Sequence, residues 1–461
     1  MSTGKQRRAR GALITAGLTA TALALTACAG GAAPTQGGGS PTQGGDPTQG
    51  GEVSGTVSFR SWSPVAQTTE QMVASFQNEN PGTTIDATIF NRPQYVVELQ
   101  TRAGSNTLPD IVGLQAGAQT QQYREHLMPL NKCAEDTWGA DWKSKFYPIA
   151  LSDALLGNPE GDENFYALPM LVQTLNLWAN TQMFERTGAT IPATWSDLES
   201  TVELMKSKGE NTPFLLPAKG ANNRVQQFMQ IVNNIAPGLV YKAESGDAKW
   251  TDPQIVEAID YYGKLVTEIA QPGALSLDAY PTAANMFEAG EAGMIPLGAW
   301  WIQQSDPTKD QSTIPELSRG MSGYAPFLFP TIPGGAATPE IVGGSDVLLG
   351  ISKNSQNPEL ACKVITNWIA GSGAQVLINT MNDLPAVIGL TPAEFTGANQ
   401  EEIWNTLVDD WLPQVKYTRY LQSPQVDSAV ANELAAVGAG ETSPEQAAAA
   451  IQQVQDQVLA G

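Results

Sequence analysis

The chain has 461 residues, with 46 Asp and Glu against 25 Lys and Arg, for a net charge of −21 at pH 7. No basic run follows Arg10, which argues against a nucleic-acid groove or a patch for anionic lipid. Val53 to Gly461 is more chain than one hydrophobic core usually holds, so two domains or lobes are expected.

Lys5, Arg7, Arg8 and Arg10 form a basic start, and Gly11 to Ala27 follows without a charge. That stretch is too short and too weakly apolar for a membrane span, which needs about 20 strongly apolar residues. Residues 1–27 read instead as a secretory signal. Leu25-Thr26-Ala27-Cys28 resembles a bacterial lipobox, which makes Cys28 the expected site of lipidation. The alternative is an ordinary signal with a chance cysteine. Arg7-Arg8 raises the twin-arginine export route, although the flanking residues match that motif poorly. Residues 28–52 repeat Pro-Thr-Gln-Gly-Gly from 34, 41 and 47 and carry almost no apolar surface. Such composition cannot offset its ordering entropy, so it reads as a disordered linker on the lipid anchor, with a reach of roughly 27 Å. Removing residues 1–27 takes away four positive charges and no acidic ones, leaving a mature chain near −25.

Beyond the linker, Thr56 to Arg60 alternates and reads as a strand. Thr68 to Asn80 reads as a helix, with Thr68 and Gln71 as a capping box, Met72, Val73 and Phe76 on one face, and Pro81-Gly82 as its stop. Thr84 to Phe90 alternates again. Gln94 to Ala103 reads as a helix with Tyr95, Val96 and Leu99 inward, and Asp110 to Leu114 as a short strand. This order implies right-handed crossovers and a parallel sheet, whose ligands meet the loops beyond the strands' carboxyl ends. Trp62 and Gln115 sit just past two such ends. The later chain is more helical. Thr194-Trp195-Ser196-Asp197 and Trp250-Thr251-Asp252-Pro253 read as helix starts, the second with Ile255, Ile259 and Tyr262 buried. At the end Ser443 caps, Pro444 takes the first turn, and Ala447, Ile451, Val454 and Val458 repeat at helical spacing.

Most catalytic chemistries have no visible seat. His126 is the single histidine, and its setting reads as a surface position near a helix end rather than a catalytic one. No Gly-x-Ser-x-Gly elbow, Cys-x-x-Cys, His-Glu-x-x-His or P-loop occurs. No metal site and no cofactor are expected. A carboxylate pair for glycoside hydrolysis is not excluded by counting. If Cys28 carries lipid, Cys133 and Cys362 remain, and an oxidising exterior permits a disulfide between them; the other reading is two separate buried thiols.

Several stretches, in order, resemble the family 1 extracellular solute-binding proteins of ABC importers, the maltose-binding-protein-like sugar-binding lipoproteins. They are "LPDIVGLQAG" (108–117), "YALPMLVQTLNLWANTQMFERTGATIPATWSDL" (166–198), "MFEAGEAGMIPLGAWWIQQ" (286–304), "YAPFLFPTIPGG" (324–335) and "GGSDVLLGISKNSQNPELACKVITNWIAGSGAQVLIN" (343–379). The resemblance covers nearly all of 53–461. It implies an α/β, two-lobe periplasmic-binding-protein type II fold. Each lobe would be a mainly parallel sheet flanked by helices, with three hinge crossings near 171–175, 328–333 and 385–395. Lobe 1 would take 53–171 plus 332–390, and lobe 2 would take 175–327 plus 395–461. Both remaining cysteines then fall in lobe 1.

The resemblance further implies a membrane-tethered, extracytoplasmic binding protein rather than an enzyme. It would act as a monomer, hold a sugar or oligosaccharide in the interlobe cleft and deliver it to the transmembrane subunits of an ABC permease. It would touch the membrane only through the lipid anchor and bind no nucleic acid. The competing readings are an extracellular carbohydrate-active hydrolase and a ligand-sensing lipoprotein. A pyranose has an apolar face and a rim of hydroxyls, so it needs an aromatic platform and polar partners. The platforms expected here are Trp62, Trp300 and Trp301. The polar partners expected are Gln115, Gln173, Gly344, Ser345 and Asp346, with Gly343-Gly344 permitting close backbone approach. Trp195 and Trp368 read as core. Asp110 reads as structural. Trp404, Trp411, Tyr417, Asn222 and Gln226 are further candidates for the cleft.

Overall fold

The computed structural model describes residues 54–304, 323–395 and 399–460. The signal over 1–27, Cys28 and the linker over 28–52 lie outside the described residues.

Strand β1 (Gly55–Ser61) buries Val57 and Phe59 and leaves the alternate Ser58 and Arg60 half-buried. It pairs in parallel with β2 (Thr83–Ile89) and with β3 (Ile111–Leu114). The helix Ala66–Glu79 connects the first two strands and turns Met72 and Phe76 into the core. It starts two residues before the expected cap. Thr69 N–H already donates to Val65 O, so Thr68 sits inside the first turn, and its hydroxyl donates to Thr380 Oγ1 at 3.1 Å. In the helix Arg92–Gly104, the Asn91 side chain accepts from Gln94 N–H at 3.0 Å. Tyr95 and Leu99 point inward as expected, but Val96 does not: it is 38% exposed, one residue off the buried stripe. Asp110 is structural. Burial pushes its carboxyl up, but hydrogen bonds from Ser355 and Ser58 outweigh this and hold it below the usual range.

Strand β4 (Ala167–Thr174) is buried throughout, and only Leu175 and Asn176 separate it from β5 (Leu177–Asn180). After a long helical excursion come β6 (Met294–Ile295) and β7 (Tyr324–Phe327). Then β8 (Val342–Ile351) returns to the first sheet and β9 (Tyr417–Thr418) pairs with its first residues. The larger sheet runs β2-β1-β3-β8-β4 with β9 against β8, and the smaller runs β6-β5-β7. Both lie within one continuously packed unit.

The expectation of a mainly parallel sheet in each lobe needs correction. The β1, β2 and β3 pairings and the β8–β9 pairing are parallel, but β8 is antiparallel to both β3 and β4. In the smaller sheet both described pairings are antiparallel. The physical reason is the path of the chain. β5 carries it away from the larger sheet and β7 carries it back, so neighbours must run in opposite directions.

One apolar core gathers around the larger sheet and contains Phe59 edge-on to Trp368, with ring centroids 4.9 Å apart. A second lies around the smaller sheet and its helices, with Trp250, Tyr262 and Trp195, the last edge-on to Tyr261 at 5.0 Å. Thr194 and Asp197 form a reciprocal capping box before Trp195, and Ser443 with Gln446 forms another at the last helix. Ile255, Ile259 and Tyr262 are buried, as are Ala447 and Ile451.

Cys133 and Cys362 are bridged, with Cα atoms 5.9 Å apart at a sequence separation of 229. The bridge ties the helix Asn131–Trp138 to the helix Pro358–Ala370. In the chain-entropy account a loop this long is worth on the order of 5 kcal/mol, less any native strain. The double variant Cys133→Ser, Cys362→Ser should therefore lose about 2–5 kcal/mol in urea unfolding. Equal midpoints for the variant and the oxidised parent would show that the bridge contributes nothing.

Candidate functional site

The strand ends place the site. Trp62 follows β1, Arg92 opens the helix after β2, and Gln115 follows β3. Strand β8 arrives from the opposite direction with Leu114 beside Leu348, so Asp346 falls next to the carboxyl end of β3. β9 pairs Thr418 with Gly343, and Arg419 N–H donates to Gly343 O at 2.8 Å. Five connections thus converge at one edge of the larger sheet.

Their side chains form a continuous polar row. Arg92 Nη2 donates to Gln115 Oε1. Gln115 Nε2 donates to Asp346 Oδ1 at 3.4 Å, and the same oxygen accepts a charge-assisted bond from Arg419 Nη2. Arg419 is only 1% exposed, and its Nη2 also reaches Ser345 O at 3.2 Å and Tyr420 Oη at 2.6 Å. Aromatic rings close both ends. The Arg92 guanidinium lies 4.4 Å from the Trp62 ring centroid, and that of Arg419 lies 5.6 Å from the Trp300 centroid.

Trp300 reaches this place from the smaller sheet, five residues after β6, and packs against both apolar cores. Its indole N–H donates to Tyr280 Oη at 2.9 Å. Gly298 makes room for it: the backbone there has a φ of 72°, and a Cβ would sit 2.3 Å from the Trp300 ring. Tyr280 itself is 39% exposed and borders the row on the side of the smaller sheet.

The expected site residues divide into two groups. Trp62, Gln115, Asp346 and Trp300 are brought together. Trp301, adjacent to Trp300, is turned the other way. It is 1% exposed and packed edge-on to Phe287 and Tyr324, because consecutive residues of a short helix point to different sides. Gln173 is fully buried at the β4 crossing and donates to Asp383 Oδ1 at 2.6 Å. Ser345 is buried as well. Its N–H donates to Asp153 Oδ2 at 2.8 Å and its hydroxyl to Ala150 O, so it holds the strand rather than facing a ligand. Gly344 does permit a close approach, but to a carboxylate: at a φ of 134°, a Cβ would lie 1.9 Å from Asp153 Oδ2. Among the further candidates Trp404 and Gln226 are buried, Asn222 is exposed, and Tyr417 stacks on Tyr241 with centroids 5.9 Å apart. Trp411 is half-buried. His126 ends a short helical turn with its Nε2 3.6 Å from Glu125, away from this row.

The residues 61–376 match the family model described as bacterial extracellular solute-binding protein. The chain belongs to that family. A "Multiple sugar-binding protein" of Streptococcus mutans serotype c is 22% identical over 307 residues, which cover 65% of this chain and 67% of that protein. Among solved structures, a "Chitin oligosaccharide binding protein" is 22% identical, with a TM-score of 0.72 over 88% of this chain and all of that one. The GacH receptor of Streptomyces glaucescens GLA.O is 18% identical, with a TM-score of 0.70 over 89% and 99% of the two chains. Maltose-bound MalE3 of T. maritima is 14% identical, with a TM-score of 0.72 over 87% and 99%. The fold of this solute-binding protein is therefore the mixed α/β, type II periplasmic-binding-protein fold.

Reading the sequence missed Arg92, Arg419, Tyr280, Tyr420 and Asp383. An isolated arginine in an acidic chain carries no spacing signal. Position offered a cue for Arg92, since it lies just past β2 as Trp62 lies just past β1.

Two buried carboxyls hold the segment after Lys416 between the sheets. Asp153 accepts from Ser345 N–H and from the Thr418 side chain. Glu244 accepts from the N–H groups of Gln422 and Ser423, at 2.5 and 3.1 Å. Burial dominates in both and pushes each carboxyl up to about 7, against the opposing pull of these hydrogen bonds. Their unfolded values are about 4. The native state therefore takes up their protons first as pH falls, so stability from this source rises from pH 8 towards pH 5. It is lost as pH climbs through about 7. Urea midpoints at pH 8 and pH 5 should show this gain, and Asp153→Asn should make it smaller. An identical pH dependence in the variant would remove Asp153 from the account.

Proposed function

We propose that this solute-binding protein is the capture component of an ABC importer. It takes a sugar or oligosaccharide between its two lobes and presents it, chemically unchanged, to the transmembrane subunits of a permease. A lipid on Cys28 and the Gly-rich linker hold it as a monomer at the extracytoplasmic face of the membrane. The lobes are 53–171 plus 332–390 and 175–327 plus 395–461, with the short strand β9 and Arg419 reaching across from the second range to the sheet of the first.

The observation that carries this reading is the placement of Trp300. It comes from the smaller sheet and stands against a row of donors and acceptors from the larger one: Gln115, Asp346 and Arg419. A pyranose requires that combination, an aromatic face for its C–H surface and charged or amide partners for its hydroxyls. The relatives agree: proteins named for multiple sugars, chitin oligosaccharide and maltose share the family or the fold.

Capture follows from hinged geometry. A solute that touches Trp300 and the Gln115–Asp346–Arg419 row at once gains contacts only when the lobes are together. It thereby shifts the population towards the closed form. The permease then distinguishes loaded from empty by shape.

A thermal-shift screen of the soluble domain against mono- and oligosaccharides tests the reading, since a bound solute stabilises the native state by RT ln(1 + [L]/Kd). For the best binder, Trp300→Ala should weaken affinity by at least about 1 kcal/mol in calorimetry. An unchanged Kd would take Trp300 out of the site, and a cleaved sugar recovered from the complex would replace capture with hydrolysis.

A further inference from the structure

Among the described residues Arg92 makes no ion pair, and Asp346 is the one carboxylate whose charge reaches it. Its guanidinium is half-buried against Trp62, and its one side-chain hydrogen bond to another side chain goes to a neutral amide, Gln115 Oε1. Its Nη1 is enclosed and has no acceptor among the described residues. Asp346 is the carboxylate of this row, and its Oδ1 is already taken by Arg419 and Gln115. Arg419, itself almost fully buried, leaves its Nε without a partner as well. Asp153 acts on Arg419 rather than on Arg92, and its Oδ2 accepts the Ser345 N–H. Of the two guanidinium groups only that of Arg419 is ion-paired among the described residues.

A want of acidic residues does not explain this, because the chain has 46 of them against 25 basic ones. Enclosing a charge without a partner is costly unless something supplies the opposite charge. Trp300 faces the row at these same strand ends, beside the enclosed Arg92–Gln115 pair.

We propose that the solute carries a carboxylate: it is a hexuronic acid, or an oligosaccharide containing one, and Arg92 is the residue that selects it. This rests on the carbohydrate reading above. The planar guanidinium matches a carboxylate in geometry as well as in charge. Trp62 covers the guanidinium, so the carboxylate reaches it as the Trp62–Arg92 stack opens. Arg419 and Asp346 stay paired and serve the ring hydroxyls.

The test is calorimetry on the soluble domain with glucuronate, galacturonate and their short oligomers. The comparisons are glucose, galactose, the uronate methyl esters and glucose 6-phosphate. A uronate member should bind at least about tenfold tighter than its neutral parent and its methyl ester, as loss of one partner of an enclosed charge pair entails. Arg92→Gln should abolish that preference while keeping the circular dichroism of the parent. The methyl-ester comparison needs no variant and decides the matter even if Arg92→Gln fails to fold. Equal or tighter binding of the neutral sugars overturns the inference and leaves sugar capture standing. Binding of glucose 6-phosphate without any uronate overturns the carboxylate. Failure of every sugar, acidic and neutral, overturns both readings.

Discussion

Strand β8 sets the geometry on which everything else depends. It enters the larger sheet against the direction of β3 and β4 and pairs with both, and β9 pairs beside its first residues. Side chains alternate along a strand, so a slip of one residue would turn Asp346 away from Gln115 and Arg419 and bring Ser345 or Val347 into its place. Asp153 guards against that slip. Its carboxylate fills the space that a side chain at 344 would need and accepts the N–H of Ser345. One buried acid thereby fixes the register, and the register fixes the polar row.

That arrangement also explains why the segment from Lys416 to Ser423 belongs to neither sheet alone. Thr418 pairs along β8 on one side, while its carbonyl accepts from Tyr241 Oη at 2.5 Å on the other. Gln422 and Ser423 are held by Glu244 from a helix of the second core. A connection gripped from both sides at its backbone bends about a few fixed points rather than flapping freely. This is the behaviour hinge-type closure asks of its crossings.

Where the chain's pattern is local, the sequence is a good guide. Alternation in β1 and the helical stripe of Met72 and Phe76 follow from periodicity, and the Thr194–Asp197 box follows from capping chemistry. The failures are tertiary. Thr68 sits inside the first turn rather than at the cap, and its hydroxyl donates to Thr380, 312 residues away. Strand direction in the smaller sheet depends on how the chain crosses between lobes, which no local pattern encodes. The site divides the same way. Residues that follow strand ends, Trp62 and Gln115, were legible because topology makes those positions special. Trp300 and Trp301 could not be told apart by motif alone, since the choice between them is a rotation within one short turn. Arg92 and Arg419 were invisible because the significance of a charge lies in what neutralises it, and that is known only once neighbours are placed.

The cross-link between Cys133 and Cys362 has a topological meaning beyond its energy. It encloses β4, the whole outward excursion through the smaller sheet and its return along β8 in a single covalent ring of chain. A protease that cuts once anywhere in that ring opens it without separating the two fragments. A nicked molecule would keep its full mass until a reductant released the pieces. A protein exposed outside the cell would thus survive a first cleavage in its excursion as one covalent body.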